Sequence, residues 1–402
     1  MSAIRSALVI GGGVAGPVTA TALRMAGIEG RVFEAYPGPA YNIGSTLGFA
    51  ANGLAALDVI GAGDAVRKVA LPMPRSVMSV GHKMIEMPAV AGLEPLQMVD
   101  RSDLHQVLHD HAVAAGVDFA YDKRLVSVEE HADGVTAHFA DGTSATADIL
   151  IGADGIKSRV RTLIDPNAPA ANYTGLLGFG AYVECSVDVP QGTTFFAFGK
   201  NAYYLYWALP DGRIGWGANL PNAQYLSMSQ ARAIPAEQWL RTLRETYAPD
   251  TPGGEFARDT APEDLAIVGG LHIMPPVPTW HRDRMVLVGD AVHAPSNSTG
   301  QGASQAIESA VQLARCLRDF DDPATAFATY ERIRRPRVER IAARGAKINH
   351  GKTMGPVMRR AMPLLMPLAA KAMKIEETMR REQSYVIDWD ATVNERAELV
   401  RA

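Results

Sequence analysis

Gly11, Gly13 and Gly16 stand in G-x-G-x-x-G spacing, after the apolar run Ala7-Leu-Val-Ile10 and before Val14 to Ala26, which has a helical pattern closed by Gly27. In such a strand–turn–helix the first glycine permits the turn, the second lets a pyrophosphate approach the backbone, and the third lets helix and strand pack closely. The unpaired N–H groups and dipole at the helix start favour the phosphates. Glu34 ends the next apolar run, Arg31-Val-Phe-Glu34. Its carboxylate suits ribose hydroxyls and would repel a 2′-phosphate, so FAD or NAD fits better than NADP. The competing account is a glycine-rich turn with no ligand. A second constellation lies far along the chain, Gly289-Asp290-Ala-Val-His-Ala-Pro295 followed by Gly300-Gln-Gly-Ala303. Asp290, after the buried run Met285–Val288, can bind another sugar hydroxyl or serve only as a helix cap or turn acid. The glycines before a helix offer N–H donors to a carbonyl-bearing or anionic ring. Two acids bracketing one dinucleotide suit an extended FAD.

The elements that must position these residues follow from pattern. The chain has 402 residues, 47% of them apolar and 20% charged, as expected of an ordinary soluble globular protein; two or three domains are expected. A net charge of −4 gives no sign of nucleic-acid binding, and Cys185 and Cys316, without a CxxC, make a disulfide framework or thiolate metal cluster unexpected. Reduced cytoplasm is the expected compartment. The small apolar stretch Ala7 to Leu23 contains three consecutive glycines and Pro17, which argues against a signal peptide. Met354 to Met373 is interrupted by Arg359, Arg360 and Lys371, so no membrane span is expected. Helices are predicted over 52–60, 102–115, 303–317 and 323–344, and a meander over 126–148 precedes the buried run Ile149–Ile151. From Tyr173 the texture changes to aromatic-rich strands over 179–187, 194–199, 203–209 and 213–219, read as a second, sheet-based domain. The Met-rich tail could bridge the domains, form part of a dimer face, or lie on a membrane surface.

Gly11 to Gly16 with Glu34, Gly152-Ala-Asp-Gly-Ile-Lys-Ser-Arg-Val-Arg161, and Val288 to Pro295 with Gly300-Gln-Gly302 together resemble the three signatures of the single-component (class A) FAD-dependent aromatic monooxygenases, whose type architecture is the para-hydroxybenzoate hydroxylase fold. Val99-Asp-Arg-Ser-Asp-Leu104 resembles their arginine-bearing helix start. The resemblance covers roughly residues 1–345 and is nearest in look to the tetracycline-inactivating and salicylate or urate hydroxylase branches. It implies an α/β fold: a Rossmann-like FAD-binding domain (1–72 with 99–172 and 276–345), an inserted antiparallel-sheet substrate domain (73–98 with 173–275), and a C-terminal helical tail (346–402). The implied FAD-binding set is Gly11, Gly13, Val14, Ala15, Gly16, Glu34, Ala35, Gly44, Leu47, Gly48, Arg101, Leu125, Asp154, Asp290, Pro295, Gly300, Gly302 and Ala303. Within it Arg101 meets the flavin side of the cofactor and Leu125 meets adenine through its backbone. Asp290 binds near the ribityl chain or pyrophosphate, and 44–48 lie beside a mobile flavin ring. Asp154 either contacts cofactor directly or holds its loop by backbone hydrogen bonds. Ser309 departs from the family pattern, which more often has an acid there.

The resemblance also implies the chemistry: NADPH or NADH reduces the flavin, and O2 then forms a flavin C4a-hydroperoxide that hydroxylates an aromatic or polyketide-like small molecule. No second strand-coupled G-x-G-x-x-G is found, nor an Arg-x-Gly-Gly-Arg after Glu34, nor a Trp-x-Trp-x-Ile-Pro stretch. Their absence disfavours disulfide reductases and two-Rossmann oxygenases, amine oxidases, and flavin halogenases respectively. A non-oxygenating FAD-binding reductase or scaffold is the alternative. The substrate face is expected on the sheet at 173–220, with Phe179, Phe196, Tyr204, Tyr206, Trp216 and Asn219 as pocket candidates, although residues of these types are more often plain core than ligand contacts. His293 is a tempting base, but its place inside the flavin motif favours packing, and no catalytic base is identified. A monomer or homodimer without a bound metal is expected.

Overall fold

The computed structural model describes residues 4–39, 45–81, 83–352 and 375–394. A six-stranded sheet has the order His281–Arg282, Met285–Leu287, Ile149–Gly152, Ser6–Ile10, Glu29–Phe33, Asp118–Ala120. The five strands from Met285–Leu287 to Asp118–Ala120 are parallel, and His281–Arg282 adds an antiparallel edge. The central strands are buried on both faces, which is why they read as unbroken apolar runs. The helix Ala15–Met25 packs against the long helix Gly302–Asp319, and the meander Leu125–Glu130, Val135–Phe139, Ser144–Ala147 forms a separate antiparallel sheet.

A seven-stranded sheet takes residues 75–86 and 172–273, in the order Ala266–Ile273, Asn172–Val183, Ile214–Pro221, Tyr203–Ala208, Thr193–Phe198, Arg75–Val80, Lys83–Glu86. It is mixed rather than purely antiparallel, because Arg75–Val80 runs parallel to Thr193–Phe198. Successive side chains point to opposite faces. One set, including Phe179, Ala181, Tyr204, Tyr206 and Trp216, packs on Trp239, Leu243, Tyr247 and Phe256. These come from the helices Ala236–Tyr247 and Gly253–Asp259, which the sequence reading did not assign. The other set, with Tyr182, Tyr203, Leu205, Trp207 and Asn219, turns toward the nucleotide-side sheet. Trp207 and Tyr182 join Met73 and Met98 in a small apolar cluster. The third sheet strand runs Asn172–Val183 rather than through Val187, since the apolar alternation fails at Glu184.

The expected helix over 323–344 extends to Pro323–Lys352, with Pro336 inside it. The Met-rich stretch 354–373 lies outside the described residues. The chain after the helix Ile375–Gln383 docks back on the nucleotide half. Tyr385 covers the Arg337 guanidinium at 4.4 Å, and Arg315 Nη2 donates to the Ala391 carbonyl at 2.9 Å. Beneath this strap lies a fully buried ionic cluster. Glu308 takes Arg334 Nη1 at 2.5 Å and Arg337 Nε at 2.8 Å, and also accepts from Asn52 Nδ2. The two guanidinium groups hold the Glu308 carboxyl below the usual carboxylate range despite burial. Replacing Glu308 by Ala leaves two buried cations uncompensated, so we expect a loss of about 3–5 kcal/mol in the urea-unfolding free energy of FAD-saturated protein.

Candidate functional site

The distant motifs meet at the carboxyl ends of the parallel strands. Gly11 has φ +106°, and a Cβ there would lie 2.5 Å from the Ala153 carbonyl oxygen; one on Gly16 would lie 1.9 Å from the Gly11 oxygen. Gly289 (φ +61°) fits between Ala15 and Ala306, whose Cβ atoms lie 3.2 and 3.1 Å from the position its own would take. The early turn, the late acid and the late helix therefore share one contact. Arg161 of the second motif, buried, donates from Nη1 to the Ala291 carbonyl at 2.7 Å and binds that motif to the residue after Asp290.

The pieces presented at this junction fit an extended, doubly anionic dinucleotide. Both the helix Ala15–Met25 and the helix Gly302–Asp319 begin without a side-chain cap and without an acid in the first turn. Both therefore offer open N–H groups and the positive end of a dipole. Beside them, Cβ atoms added to Gly13, Gly300 or Gly302 would meet nothing within 4 Å. This is the open backbone cradle that phosphates and a ring edge need. Asp290 is the first residue of a short turn of helix, with Gly289 at the cap position, so it is not a helix cap. Its carboxylate accepts no hydrogen bond among the described residues; burial pushes its pKa up, opposed by Arg101. Such a group is completed by a hydroxyl donor. Arg101, exposed, opens the helix Arg101–Ala114. Asp100 does not cap that helix because its carboxylate accepts from Thr46 Oγ1 at 2.8 Å and Tyr182 Oη at 2.5 Å.

At the adenosine end Glu34 Oε2 accepts the Gly12 N–H at 2.7 Å and Oε1 accepts the Tyr36 N–H at 3.0 Å. A carboxylate retains lone pairs for ribose hydroxyls after two such bonds. Ala35 follows it, half-buried. Leu125, buried, begins its strand beside this segment, where the Lys123 N–H donates to the Glu34 carbonyl at 2.8 Å. His105 was not anticipated: its Nε2 lies 2.7 Å from the Gly12 carbonyl and steadies the glycine turn, and burial lowers its pKa. Leu47 and Gly48 lie on the strand Thr46–Phe49 against Leu96–Asp100, and Gly44 lies outside the described residues. Gln301 turns inward, exchanging hydrogen bonds with Asn52 at 2.9 and 3.2 Å, so the 300–303 backbone is left facing outward. Val14 is the cap residue of the first helix, and Pro295 is buried ahead of the second glycine pair.

Asp154 and His293 each take the structural role of the two readings weighed for them, and the pocket candidates on the sheet are corrected in part. Asp154 holds its loop: Oδ1 accepts from Ser158 Oγ, and Oδ2 accepts the Arg159 and Val160 N–H groups at 2.6 and 3.1 Å. Phe179, Tyr204, Tyr206 and Trp216 belong to the face covered by helices, away from the nucleotide half: Phe179 and Tyr204 flank Ala218 in one row, and Tyr206 pairs with Trp216 in the next row on the same face. Phe196 and Asn219 lie on the opposite face with Tyr203, Leu205 and Trp207. His293 is buried, its Nε2 2.7 Å from Ser309 Oγ, and burial with Arg334 nearby pushes its pKa down to about 3; it is a neutral packing group. Ser309 thus substitutes a neutral partner, which also accepts from Arg334 Nε at 3.2 Å.

The inner sheet face is tied to the nucleotide half at two points. At one, Tyr182 meets Asp100 and Thr46. At the other, Lys352 Nζ donates to Asn219 Oδ1 at 2.8 Å. Asn219 is in register with Gly178, four residues before Tyr182 on the same strand, so the ties are about 13 Å apart at ~3.3 Å per residue.

A Rossmann-like half with two open helix starts, an acid at the end of its second strand and a second acid that accepts no hydrogen bond among the described residues, roofed by a large sheet, fits an FAD-binding oxidoreductase. Residues 5–192 and 275–345 match the FAD binding domain family, and the chain belongs to that family. It is 30% identical to the FAD-dependent urate hydroxylase of Klebsiella pneumoniae over 372 residues, 87% of this chain and 91% of that protein. It is 28% identical to the 3-hydroxybenzoate 6-hydroxylase of Klebsiella oxytoca over 375 residues, 85% of this chain and 87% of that one. The fold matches a crystal structure of Klebsiella pneumoniae HpxO complexed with FAD and uric acid with a TM-score of 0.78 and 26% identity, covering 94% of this chain and 96% of that one. The chain is an FAD-dependent monooxygenase of the aromatic hydroxylase class.

Two measurements test the site. Glu34→Arg places a cation at the ribose position, and we expect FAD affinity to fall at least about tenfold; unchanged flavin occupancy would show the ribose assignment to be wrong. For His293, the unfolded chain takes a proton near the ordinary value of 6.5 while the folded one resists until about 3. Its contribution is therefore complete above about 6.5 and is lost as pH falls below it. His293→Gln should flatten the fall in stability between pH 6.5 and 5 relative to the parent protein, read from denaturant midpoints at saturating FAD.

Proposed function

We propose that this enzyme uses NADPH or NADH and O2 to hydroxylate a small aromatic or polyketide-like compound held between the flavin site and the inner face of the seven-stranded sheet. The observation that carries this is the convergence of Asp290, Arg101 and the open backbone at Gly300–Gly302 beneath an aromatic face bearing Tyr182, Tyr203, Leu205 and Trp207. Bound FAD, reduced by the nicotinamide, supplies activated oxygen for transfer of one atom to the ring. The rest falls to the protein.

The two uncapped helix starts bind the negative charge of the cofactor, and Glu34 and Asp290 accept from its hydroxyls at either end. Arg101 and the 45–48 segment would lie beside the ring system. On the substrate side, Trp207 lies flat over Gly215, where a Cβ would come within 2.5 Å of its indole, so the glycine creates an aromatic plate. That plate and Leu205 orient a planar substrate and exclude water. Urate and 3-hydroxybenzoate, which the names of the two relatives specify, are planar rings. No described residue is assigned as a base, since His293 is neutral and engaged. We place the enzyme in the reduced cytoplasm as a monomer or homodimer.

With 18O2, NADH or NADPH and a panel of hydroxylated benzoates and purines, we expect substrate-stimulated NAD(P)H oxidation and one labelled atom in the product. Flavin reduction without label in any product would favour the non-oxygenating alternative.

A further inference from the structure

We propose that Tyr182, backed by Asp100 and Thr46, sets substrate specificity: its hydroxyl accepts a hydrogen bond from a ring O–H or N–H of the substrate and disfavours a ring that offers only lone pairs there. This deepens the reading of the chain as a ring hydroxylase and rests on it. Tyr182 Oη lies 2.5 Å from Asp100 Oδ1 and 2.6 Å from Thr46 Oγ1, and Thr46 Oγ1 lies 2.8 Å from the same Asp100 oxygen. Oxygens this close need a proton between them. Each hydroxyl carries one proton and an ionised carboxylate carries none, so the protons are fewer than the edges of the triangle. Protonating Asp100 would only fill the last edge. In either state every proton is held inside the triangle, and Tyr182 Oη turns lone-pair density outward.

The triangle stands where the two halves of the protein meet. Tyr182, Gly215 and Trp207 form one row across the inner sheet face. The Tyr182 ring is edge-on to the Trp207 indole, with centroids 6.5 Å apart and planes at 88°. Arg213 lies over the same ring, 5.6 Å from its centroid, and pairs with Asp211 at 2.8 Å. In the next row Gly180 carries no side chain, and a Cβ there would first meet Ser45 Cβ, at 3.5 Å, so the sheet comes close to the 45–48 segment beside Tyr182. Thr46 opens the strand Thr46–Phe49 and Asp100 directly precedes Arg101, both on the flavin side. All three residues of the triangle are half-buried. A ring lying on the Trp207 plate meets Tyr182 Oη at its edge. Burial and the hydrogen-bonded Asp100 carboxylate push the Tyr182 pKa up, so the hydroxyl keeps its proton, and the carboxylate polarises it into a stronger acceptor. A site built this way discriminates because an analogue without the donor leaves the protein's own polar group unpaired.

The test is equilibrium titration of the oxidised FAD holoenzyme, followed by flavin absorbance, with two sets of near-isosteric rings: 3-hydroxy-, 3-amino- and 3-fluorobenzoate, and the corresponding 4-substituted compounds. In at least one set the hydroxy and amino rings are expected to bind about tenfold or more tighter than the fluoro ring. In Tyr182→Phe that ratio should fall to near one while the fluoro ring keeps its parent affinity to within about twofold. Equal weakening of all three rings, with the ratio kept, would mark Tyr182 as a structural tie and overturn the proposal. Should Tyr182→Phe fail to retain FAD, Asp100→Ala decides the matter alone: it leaves the Tyr182 and Thr46 protons a single edge to share, frees one to turn outward, and should cut the ratio by about threefold or more. A parent enzyme that shows no such preference, or binds none of these rings, also overturns the proposal, as does a ratio undiminished in Asp100→Ala. Failure of the hydroxylase reading is distinguishable, because the titrations need no NAD(P)H, whereas that failure appears as absent 18O incorporation whatever residue stands at 182.

Discussion

The close approach of Gly289 to Ala15 and Ala306 is the constraint on which the site depends. Three residues with at most a methyl group let the first helix, the late helix and the turn carrying Asp290 come so close that even a Cβ on Gly289 would crowd Ala15 and Ala306. Both helix starts then point their open N–H groups at one volume. A larger side chain at any of the three would force the helices apart, and neither dipole could act on the ligand of the other. Electrostatic recognition at this site is thus a consequence of packing, since the field of a helix end falls off within a turn.

Around that point polar groups do positional work wherever the backbone cannot. Asp154, Arg161 and His105 each use side-chain hydrogen bonds to hold a loop that regular secondary structure leaves unsupported. The buried Glu308 cluster does the same for the helices beneath the 300–303 turn, and its link through Asn52 extends this support to the strand preceding it, Thr46–Phe49. An ionic cluster is costly to bury, and it is tolerated here because both guanidinium groups hydrogen-bond the one Glu308 carboxylate.

The cofactor half was legible in the sequence because its demands fall on residue type. A φ of +106° at Gly11 or +61° at Gly289 and Gly300 requires glycine, and those glycines stand at fixed offsets from apolar strands. The substrate half was less legible. Alternation divides Tyr203 to Trp207 into two sets but does not say which set faces the flavin. The answer lies in the helices Ala236–Tyr247 and Gly253–Asp259, which cover Tyr204, Tyr206 and Trp216 and went unassigned. Asn219 was named as a pocket candidate, whereas its hydrogen-bond partner Lys352 is 133 positions away and carries no local signature. Asp154 was left open between two roles, and only the hydrogen bonds to Arg159 and Val160 decide between them.

The order of the site along the polypeptide bears on its biosynthesis. Half of the adenosine cradle, through Glu34, leaves the ribosome first, but Asp290 and the Glu308 cluster follow roughly 250 residues later, and the covering Tyr385 later still. At ~5–20 residues per second the nascent chain spends on the order of tens of seconds with an exposed glycine turn and no second wall. Flavin capture accordingly waits until both walls of the site have been made.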